Sequence, residues 1–173
     1  MIRIIYSSID DIVYSPNKYR ETEGIKVNHA NAILALGWKD GEVYIRNEIY
    51  VYEKDTNEII QLAEGKISKS DLMWADSAEP DRIKMWITAG YAARGVRKPP
   101  GSVKAQIDWL QGRKIHIHPS CVNTIKEIQQ WKWQKDPKTN TYIDTPVAIN
   151  DDAMAALRYG VELWRYGSSF SFD

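Results

Sequence analysis

Two runs of β-forming residues around an Asp-Gly turn place the tightest constraint on how this chain folds. The first run is NAILALGW at 31–38, the second is VYIRNEIYVYE at 43–53, and the turn KDGE lies between them. Asp-Gly favours the tight turns that join antiparallel strands, so the segment predicts a β-hairpin. Four apolar residues stand at odd positions of the second run: Val43, Ile45, Ile49 and Val51. Because side chains alternate along a strand, we expect these four to share one face.

Helical and extended patterns alternate after the hairpin. Short apolar runs predict strands at 72–75, 91–96 and 114–118. Capping residues and apolar stripes predict helices at 57–65 and 79–89, from 101, from Ser120 to about 133, and from Asn150 onward. A hairpin followed by alternating helices and strands indicates an α/β fold, in which helices flank a mixed central β-sheet.

No stretch rich in Gly, Ser or Pro divides the chain, so residues 1–173 are expected to form a single domain. Residues 2–6 predict a short strand, and the polar, turn-rich residues 7–30 predict a loop or a covering arm. Residues 1–22 are interpreted as an N-terminal connector or arm, and the tail at 167–173 is expected to fray.

The composition excludes several classes of protein. Lys and Arg total 23, as do Asp and Glu, so the net charge of zero excludes a uniformly basic nucleic-acid coat but allows a local basic patch. The lone cysteine, Cys121, excludes an internal disulfide and a cysteine-based zinc cluster, and fits a reducing compartment. We expect neither a membrane span nor ATP hydrolysis, because the sequence has no long apolar run and no GxxxxGK[ST] motif.

The informative acids stand at the ends of predicted elements. Asp76 follows the apolar run LMWA, which puts it at the carboxyl end of a buried strand, the edge where open α/β sheets bind ligands. Asp151 and Asp152 begin the last helix, which could bring them near Asp76. Oxygen donors from two or three carboxylates suit Mg²⁺ or Mn²⁺. The alternative interpretation is that these acids only cap helices.

A basic loop forms a second candidate site. The stretch RGVRKPPGSVK at 94–104 carries Arg97, Lys98 and Lys104 beside two prolines and a glycine. Such a loop presents cations and backbone amides, which are the groups that contact phosphates. The alternative is a charged loop that is merely solvated.

Two further pairs of residues are weaker indications of a site. His116 and His118 lie on one face of a strand, but no third metal ligand is evident nearby, so we expect packed or solvent-facing side chains. Trp131 and Trp133 could stack on nucleic-acid bases, yet such residues more often anchor the end of a helix to the core.

Four segments of the chain resemble one known family. They read ADSAEPDRIKMW at 75–86, KPPGSVKAQIDWLQ at 98–111, KIHIHPSCVNTIKEIQQWKWQKD at 114–136 and TPVAINDDAMAALRYGVE at 145–162. Together with the hairpin, they resemble the C-terminal nuclease domain of the large terminase subunit of tailed bacteriophages and prophages. Residues 2–15 are similar to the connector that precedes this domain in full-length terminases.

The resemblance implies a ribonuclease H-like fold and metal-dependent cleavage of double-stranded DNA during genome packaging. It implies an acid cluster that holds two divalent ions, Mg or Mn, with Asp76 in the second family motif and Asp151 and Asp152 in the third. Arg97 and Lys98 match the family's basic loop, which approaches the DNA backbone. The implied partners are double-stranded DNA, an N-terminal terminase ATPase domain, the small terminase subunit and the portal, all in the host cytoplasm.

Two positions depart from the family pattern. Lys26 stands where the family has an Asp at its first strand, and Ala155 stands where many members have an Asp on the last helix. Asp10, Asp11 and Glu23 are candidates for the missing ligand. The first function hypothesis is a two-metal-ion DNA endonuclease. The second is a catalytically impaired DNA-binding or assembly module of the same fold, and the third is an unrelated metal-dependent phosphatase or a similar hydrolase.

Overall fold

The computed structural model describes residues 13–16, 30–148 and 150–166. Several predictions lie outside these residues: the strand at 2–6, the frayed tail at 167–173, and the roles of Asp10, Asp11, Glu23 and Lys26.

A mixed six-stranded sheet forms the centre of the fold, with the strand order β5-β4-β1-β2-β3-β6. Its strands are β1 (Val13–Pro16), β2 (Asn31–Lys39), β3 (Glu42–Val51), β4 (Leu72–Ala75), β5 (Ala92–Gly95) and β6 (Ile115–Ile117). The pairs β1–β2 and β2–β3 are antiparallel, whereas β1–β4, β4–β5 and β3–β6 are parallel. The predicted hairpin and the predicted mixed sheet are therefore both present.

Helices pack on both faces of this sheet. They are α1 (Thr56–Ala63), α2 (Pro80–Thr88), α3 (Ser102–Gln111), α4 (Val122–Gln130), α5 (Asp152–Gly160) and α6 (Glu162–Arg165). A separate antiparallel pair consists of β7 (Trp133–Lys135) and β8 (Tyr142–Pro146). In the part of the chain that the structure describes, no helix has the length and apolar character needed to cross a membrane.

Strand β1 lies in the segment for which the sequence predicted a loop or arm. Val13 pairs with Leu36 of β2, and Tyr14 pairs with Met73 of β4, so β1 joins the hairpin to the parallel strands. The loop prediction is wrong at residues 13–16. A strand of four residues that ends in a proline shows too little alternation to be recognised from its own sequence.

A β-bulge changes the orientation of side chains in the middle of β3. Ala35 lies opposite Asn47, but the next residue, Leu36, lies opposite Ile45, which leaves Arg46 as an extra residue in β3. The bulge shifts the alternation, so the four apolar residues do not share one face as predicted. Val43 and Ile45 belong to one core, whereas Ile49 and Val51 pack against the core on the opposite face.

The sheet separates two apolar cores of different construction. On one face, α5 is buried on all sides and not only along one stripe, because the sheet, α3 and α4 surround it. Met154 and Leu157 are completely inaccessible there. On the other face, α1 and α2 cover a core that includes Ile33, Met73 and Trp86.

Two helices begin one residue later than predicted. Asp151, and not Asn150, is the N-cap of α5, and Asn150 has a left-handed backbone with φ of 49°. Cys121, and not Ser120, is the N-cap of α4, and the Ser120 hydroxyl lies 2.7 Å from Nδ1 of His118. Helix α4 also ends earlier than predicted, at Gln130, so Trp133 begins strand β7 and does not end a helix.

Candidate active site at the end of strand β4

The side chain of Asp76 lies directly beyond the last residue of β4, at the sheet edge where the sequence placed it. Three groups contact its carboxylate. The hydroxyl of Tyr159 donates to Oδ2 at 3.1 Å, the backbone N–H of Ala78 donates to Oδ1 at 2.8 Å, and Nζ of Lys98 forms an ion pair with Oδ1. The side chain keeps 16% of its surface exposed, so it is held in place and still open to a ligand.

The hydrogen bond from Ala78 decides between the two interpretations of Asp76. It closes a tight turn two residues beyond Asp76, whereas α2 begins at Pro80 and has Glu79 as its N-cap. The helix-capping interpretation is therefore wrong for Asp76. The carboxylate contacts Tyr159 of α5 and Lys98 of the basic loop.

Close packing brings the basic loop over Asp76. The N–H of Val96 donates to the carbonyl of Ala75 at 2.9 Å, which fixes the end of β5 beside the end of β4. Gly95 allows this approach, because a Cβ at that position would meet Cβ of Ser77 at 3.2 Å. Lys98, three residues further on, reaches Asp76 with Nζ 4.8 Å from the centre of the Tyr159 ring.

The electrostatics of the cluster favour an ionised Asp76. Burial alone would raise the pKa of Asp76, but the hydrogen bonds from Lys98 and Ala78 outweigh burial and hold this pKa below its usual value. Burial and the nearby Asp76 carboxylate raise the pKa of Tyr159, so its hydroxyl remains a hydrogen-bond donor. Asp76 is thus a carboxylate anion that two hydrogen-bond donors and an ammonium group stabilise.

The two acids at the start of α5 have different surroundings. Asp152 is 3% exposed, and its Oδ2 accepts a 2.9 Å hydrogen bond from the backbone N–H of Ala30, just before β2. Asp151 is the half-exposed N-cap residue, without a side-chain cap hydrogen bond. Among the described residues, no group of three or more His, Cys, Asp or Glu side chains is arranged to hold a metal ion. A shared role for Asp76, Asp151 and Asp152 therefore stays a prediction.

Glu127 of α4 is a buried acid that the sequence analysis did not identify. It is 4% exposed, its Oε2 accepts from the N–H of Met154 at 3.0 Å, and its Oε1 accepts from the hydroxyl of Tyr50 at 2.7 Å. It therefore binds the N-terminus of the helix that carries Asp152. Burial raises the pKa of Glu127 to about 7, and the negative charge of Asp152 adds to the rise.

The predicted DNA-binding residues lie on the loop after β5 and on α3. Arg97 and Lys98 are exposed. Lys104 lies on the first turn of α3, 3.0 Å from Oδ2 of Asp108 and 3.7 Å from Oδ1 of Asp144. The ion pair with Asp76 joins Lys98 of the basic loop to the candidate active site.

A cleft opens beside Asp76 on the face that α1 and α2 cover. It encloses about 410 Å³ of empty space that is partly open to solvent. Its floor includes Ile33 and Trp86, and its rim includes Arg82, whose NH1 donates to Oδ1 of the buried Asn31 at 3.2 Å. The cleft therefore has polar groups at its rim and apolar groups at its floor, and it lies at the sheet edge that carries Asp76.

The two histidines form separate contacts and not a metal pair. Nε2 of the buried His116 lies 2.6 Å from Glu42, and its ring stacks on Tyr44. His118 contacts Ser120 instead. Cys121 is buried, and burial, with a smaller effect of a nearby carboxylate, raises the pKa of its thiol to about 12. His116, His118 and Cys121 therefore have structural contacts and are not part of the candidate site at Asp76.

Comparisons with known proteins agree on one family. Residues 26–163 match the sequence profile of the Terminase RNAseH like domain. The PBSX phage terminase large subunit of Bacillus subtilis (strain 168) is 27% identical over 130 residues, which are 75% of this chain and 30% of that protein. The chain therefore spans less than a third of that relative's length.

Two solved structures have the same fold. One is the nuclease domain of the large terminase g2p from bacteriophage SPP1 with bound Mn, with a TM-score of 0.78, 20% identity, and coverage of 89% of this chain and 86% of that one. The other is the P22 large terminase nuclease domain, with a TM-score of 0.67, 16% identity, and coverage of 95% and 87%. They confirm the ribonuclease H-like fold that the resemblance implied.

Proposed function

This chain belongs to the family of terminase RNase H-like domains, and we propose that it cleaves double-stranded DNA during genome packaging, as the nuclease domain of a phage or prophage large terminase subunit. One observation carries the proposal. A partly exposed, ionised carboxylate stands at the carboxyl end of β4, held by Tyr159 and bordered by the basic loop. An anionic group beside cations that suit phosphates is the arrangement expected for phosphodiester hydrolysis.

We propose that divalent cations, Mg²⁺ or Mn²⁺, act in this cleavage as a pair, with Asp76, Asp151 and Asp152 as ligands. Carboxylate oxygens are the donors that both cations take, and the related SPP1 domain has bound Mn. Among the described residues, however, these acids do not form a ready-made site, because no group of three or more possible ligands is arranged to hold a metal ion. Lys98 occupies one oxygen of Asp76, and the backbone of Ala30 occupies one oxygen of Asp152.

The chain's own residues prepare the reacting site before DNA arrives. Tyr159 and the N–H of Ala78 each hold one oxygen of Asp76, so the carboxylate does not rotate freely. A reacting group that is already oriented lowers the entropic part of the barrier. Arg97, Lys98 and Lys104 are proposed to contact the DNA backbone, which positions the phosphate without reading the base sequence.

The proposed partners follow from the family. The chain covers 30% of the PBSX subunit, so we propose that it works joined to an N-terminal terminase ATPase domain. The small terminase subunit, the portal and double-stranded DNA complete the proposed assembly, in the cytoplasm of the bacterial host.

A catalytically impaired DNA-binding or assembly module of the same fold is the second candidate function. Two observations favour it. Lys98 neutralises Asp76, and Ala155, at a position where many family members have an Asp, is buried and has no ligand atom to offer. Such a module would bind DNA through the basic loop and leave the backbone intact.

Plasmid nicking separates these candidates. The purified chain is incubated with supercoiled plasmid and Mn²⁺ or Mg²⁺, and Asp76→Asn serves as the site variant. Nicking by the wild-type chain that Asp76→Asn abolishes supports the endonuclease. DNA retardation without nicking supports the impaired module. Hydrolysis of p-nitrophenyl phosphate without nicking would instead indicate the phosphatase interpretation.

A further inference from the structure

The ammonium group of Lys98 takes the place of an external cation at Asp76. Its Nζ pairs with Oδ1 of Asp76, and it lies 4.8 Å from the centre of the Tyr159 ring, whose hydroxyl donates to Oδ2 of the same carboxylate. The cation therefore contacts both an anion and the face of an aromatic ring. Among the described residues, no group of three or more His, Cys, Asp or Glu side chains is arranged to hold a metal ion here.

Two roles of Lys98 conflict in this arrangement. A lysine that contacts the DNA backbone must come within ion-pair distance of a phosphate. If Lys98 did so while it remained on Asp76, the phosphate and the carboxylate would lie a few ångströms apart with one positive charge between them. One ammonium group shared by two anions leaves a net negative charge, which weakens its hold on Asp76 and favours its exchange for a divalent cation.

We propose that Lys98 is an internal counter-ion that closes Asp76 to divalent cations until a DNA phosphate draws the ammonium group away. This inference rests on the proposed function for the identity of the phosphate. The contact with Asp76 itself does not depend on that function. Lys98 would then couple the arrival of the substrate to the arrival of the metal ion at one carboxylate.

The geometry permits such an exchange at low cost. The side chain of Lys98 is 34% exposed, so the ion pair competes with water on one side. Only the side chain has to move: its four-carbon stem is flexible, whereas Pro99 and Pro100 stiffen the backbone that follows. The distance from Asp76 to the loop is kept by the hydrogen bond between Val96 and Ala75.

Binding of Mn²⁺ without DNA tests the counter-ion role directly. The free Mn²⁺ signal in electron paramagnetic resonance is followed during titration of the wild-type chain, Lys98→Gln and Lys98→Met. We expect both variants to bind Mn²⁺ roughly tenfold more tightly, the size typical of losing a partly exposed ion pair with a ring contact. Two variants are used because Met keeps the apolar stem, and circular dichroism establishes that each one folds.

Two matched variants identify where the added Mn²⁺ binds. Lys114→Gln removes a lysine that pairs with Glu42 at 3.0 Å, at the opposite edge of the sheet, and is expected to leave the affinity within twofold. The double variant Asp76→Asn with Lys98→Gln is expected to lose the whole gain in Mn²⁺ affinity. An affinity of Lys98→Gln equal to that of wild type, or a gain that survives Asp76→Asn, overturns the proposal.

The proposed coupling between DNA binding and Mn²⁺ binding is tested by repeating the titration with a short DNA duplex and subtracting a duplex-only blank. We expect DNA to raise the Mn²⁺ affinity of the wild-type chain toward that of Lys98→Gln, and to change the variant little. An unchanged wild-type affinity overturns the coupling. Failure of the proposed endonuclease function is distinguishable, because it appears as absent plasmid nicking and leaves the DNA-free titration interpretable.

Discussion

The hydroxyl of Tyr159 donates a 3.1 Å hydrogen bond to Oδ2 of Asp76, although 83 residues separate the two in the chain. The sequence predicted that the last helix would meet Asp76, but through the acids at its first turn. Asp152 lies seven residues before Tyr159, roughly 10 Å along the helix axis, and accepts a hydrogen bond from Ala30 instead. Helix α5 therefore supports Asp76 with an uncharged donor.

Replacing Asp76 by Asn is expected to abolish any DNA cleavage and to lower stability only slightly. The amide retains the shape but loses the charge that attracts Lys98, so we expect a loss of about 1 kcal/mol in the free energy of unfolding. Plasmid nicking and thermal melting measure the two effects. Asp81→Asn, at an exposed position in the first turn of α2, is the control: it should leave nicking unchanged and lower stability only by the helix-dipole contribution of one acid, at most about 1 kcal/mol. Nicking by Asp76→Asn at the wild-type rate would contradict the assignment.

Replacing residues of the basic loop by Ala is expected to weaken DNA binding equally for all sequences. Arg97→Ala should lower the slope of log K against log salt concentration by about 1, because one phosphate contact is lost. Lys98→Ala and Lys104→Ala should change the slope less, since both lysines already pair with acids. Binding to several duplexes at graded salt measures this. A change in preferred sequence with an unaltered slope would rule out backbone contacts.

Much of the fold was predictable because each element carries its own pattern. The Asp40-Gly41 pair and its flanking apolar runs predict the β2–β3 hairpin. Strand β1 and the bulge at Arg46 were not predictable, because both depend on a pairing partner elsewhere in the chain and not on local residues. A bulge in particular leaves no trace in the composition of the strand that contains it.

The site was predictable only in part, for a similar reason. Asp76 could be found because an acid after a short apolar strand marks a sheet edge. Its contact with Lys98 spans 22 residues and depends on how closely β5 approaches β4. Glu127 carries no sequence signal of burial, because a single Glu in a helix with polar neighbours normally faces solvent.

Stability is expected to fall as pH rises from about 4.5 to about 7, because of Glu127. Its pKa is about 7 in the folded chain and near the ordinary value of 4.5 when unfolded, so the folded state binds the proton more tightly. Glu127 makes its full contribution to the free energy of unfolding below its unfolded-state pKa. That contribution, a few kcal/mol in all, is lost as the pH rises through its folded-state pKa. Glu127→Gln should flatten the melting temperature across this window. Parallel profiles of wild type and variant would show that Glu127 ionises normally.

Cleavage by the isolated chain is expected to be slow, and faster with Mn²⁺ than with Mg²⁺. Mg²⁺ requires near-ideal octahedral geometry and loses water reluctantly, so it depends more on a complete set of carboxylates. Mn²⁺ tolerates irregular ligation and generally binds a given site more tightly, which extends the transition-metal order. The described residues offer Asp76 in an ion pair and Ala155 where many family members have an Asp, so the set is short of ligands.

Plasmid nicking at matched concentrations of the two ions decides this last prediction. Equal and rapid rates would mean that the ligand set is complete after all. In that case Asp10, Asp11 or Glu23 would supply the missing carboxylate, and replacing that acid by its amide would stop cleavage with both ions. No cleavage with either ion, together with intact DNA binding, would favour the impaired module. A slow rate with Mn²⁺ and a still slower rate with Mg²⁺ is the outcome we expect, because the described carboxylates are too few for the demanding geometry of Mg²⁺.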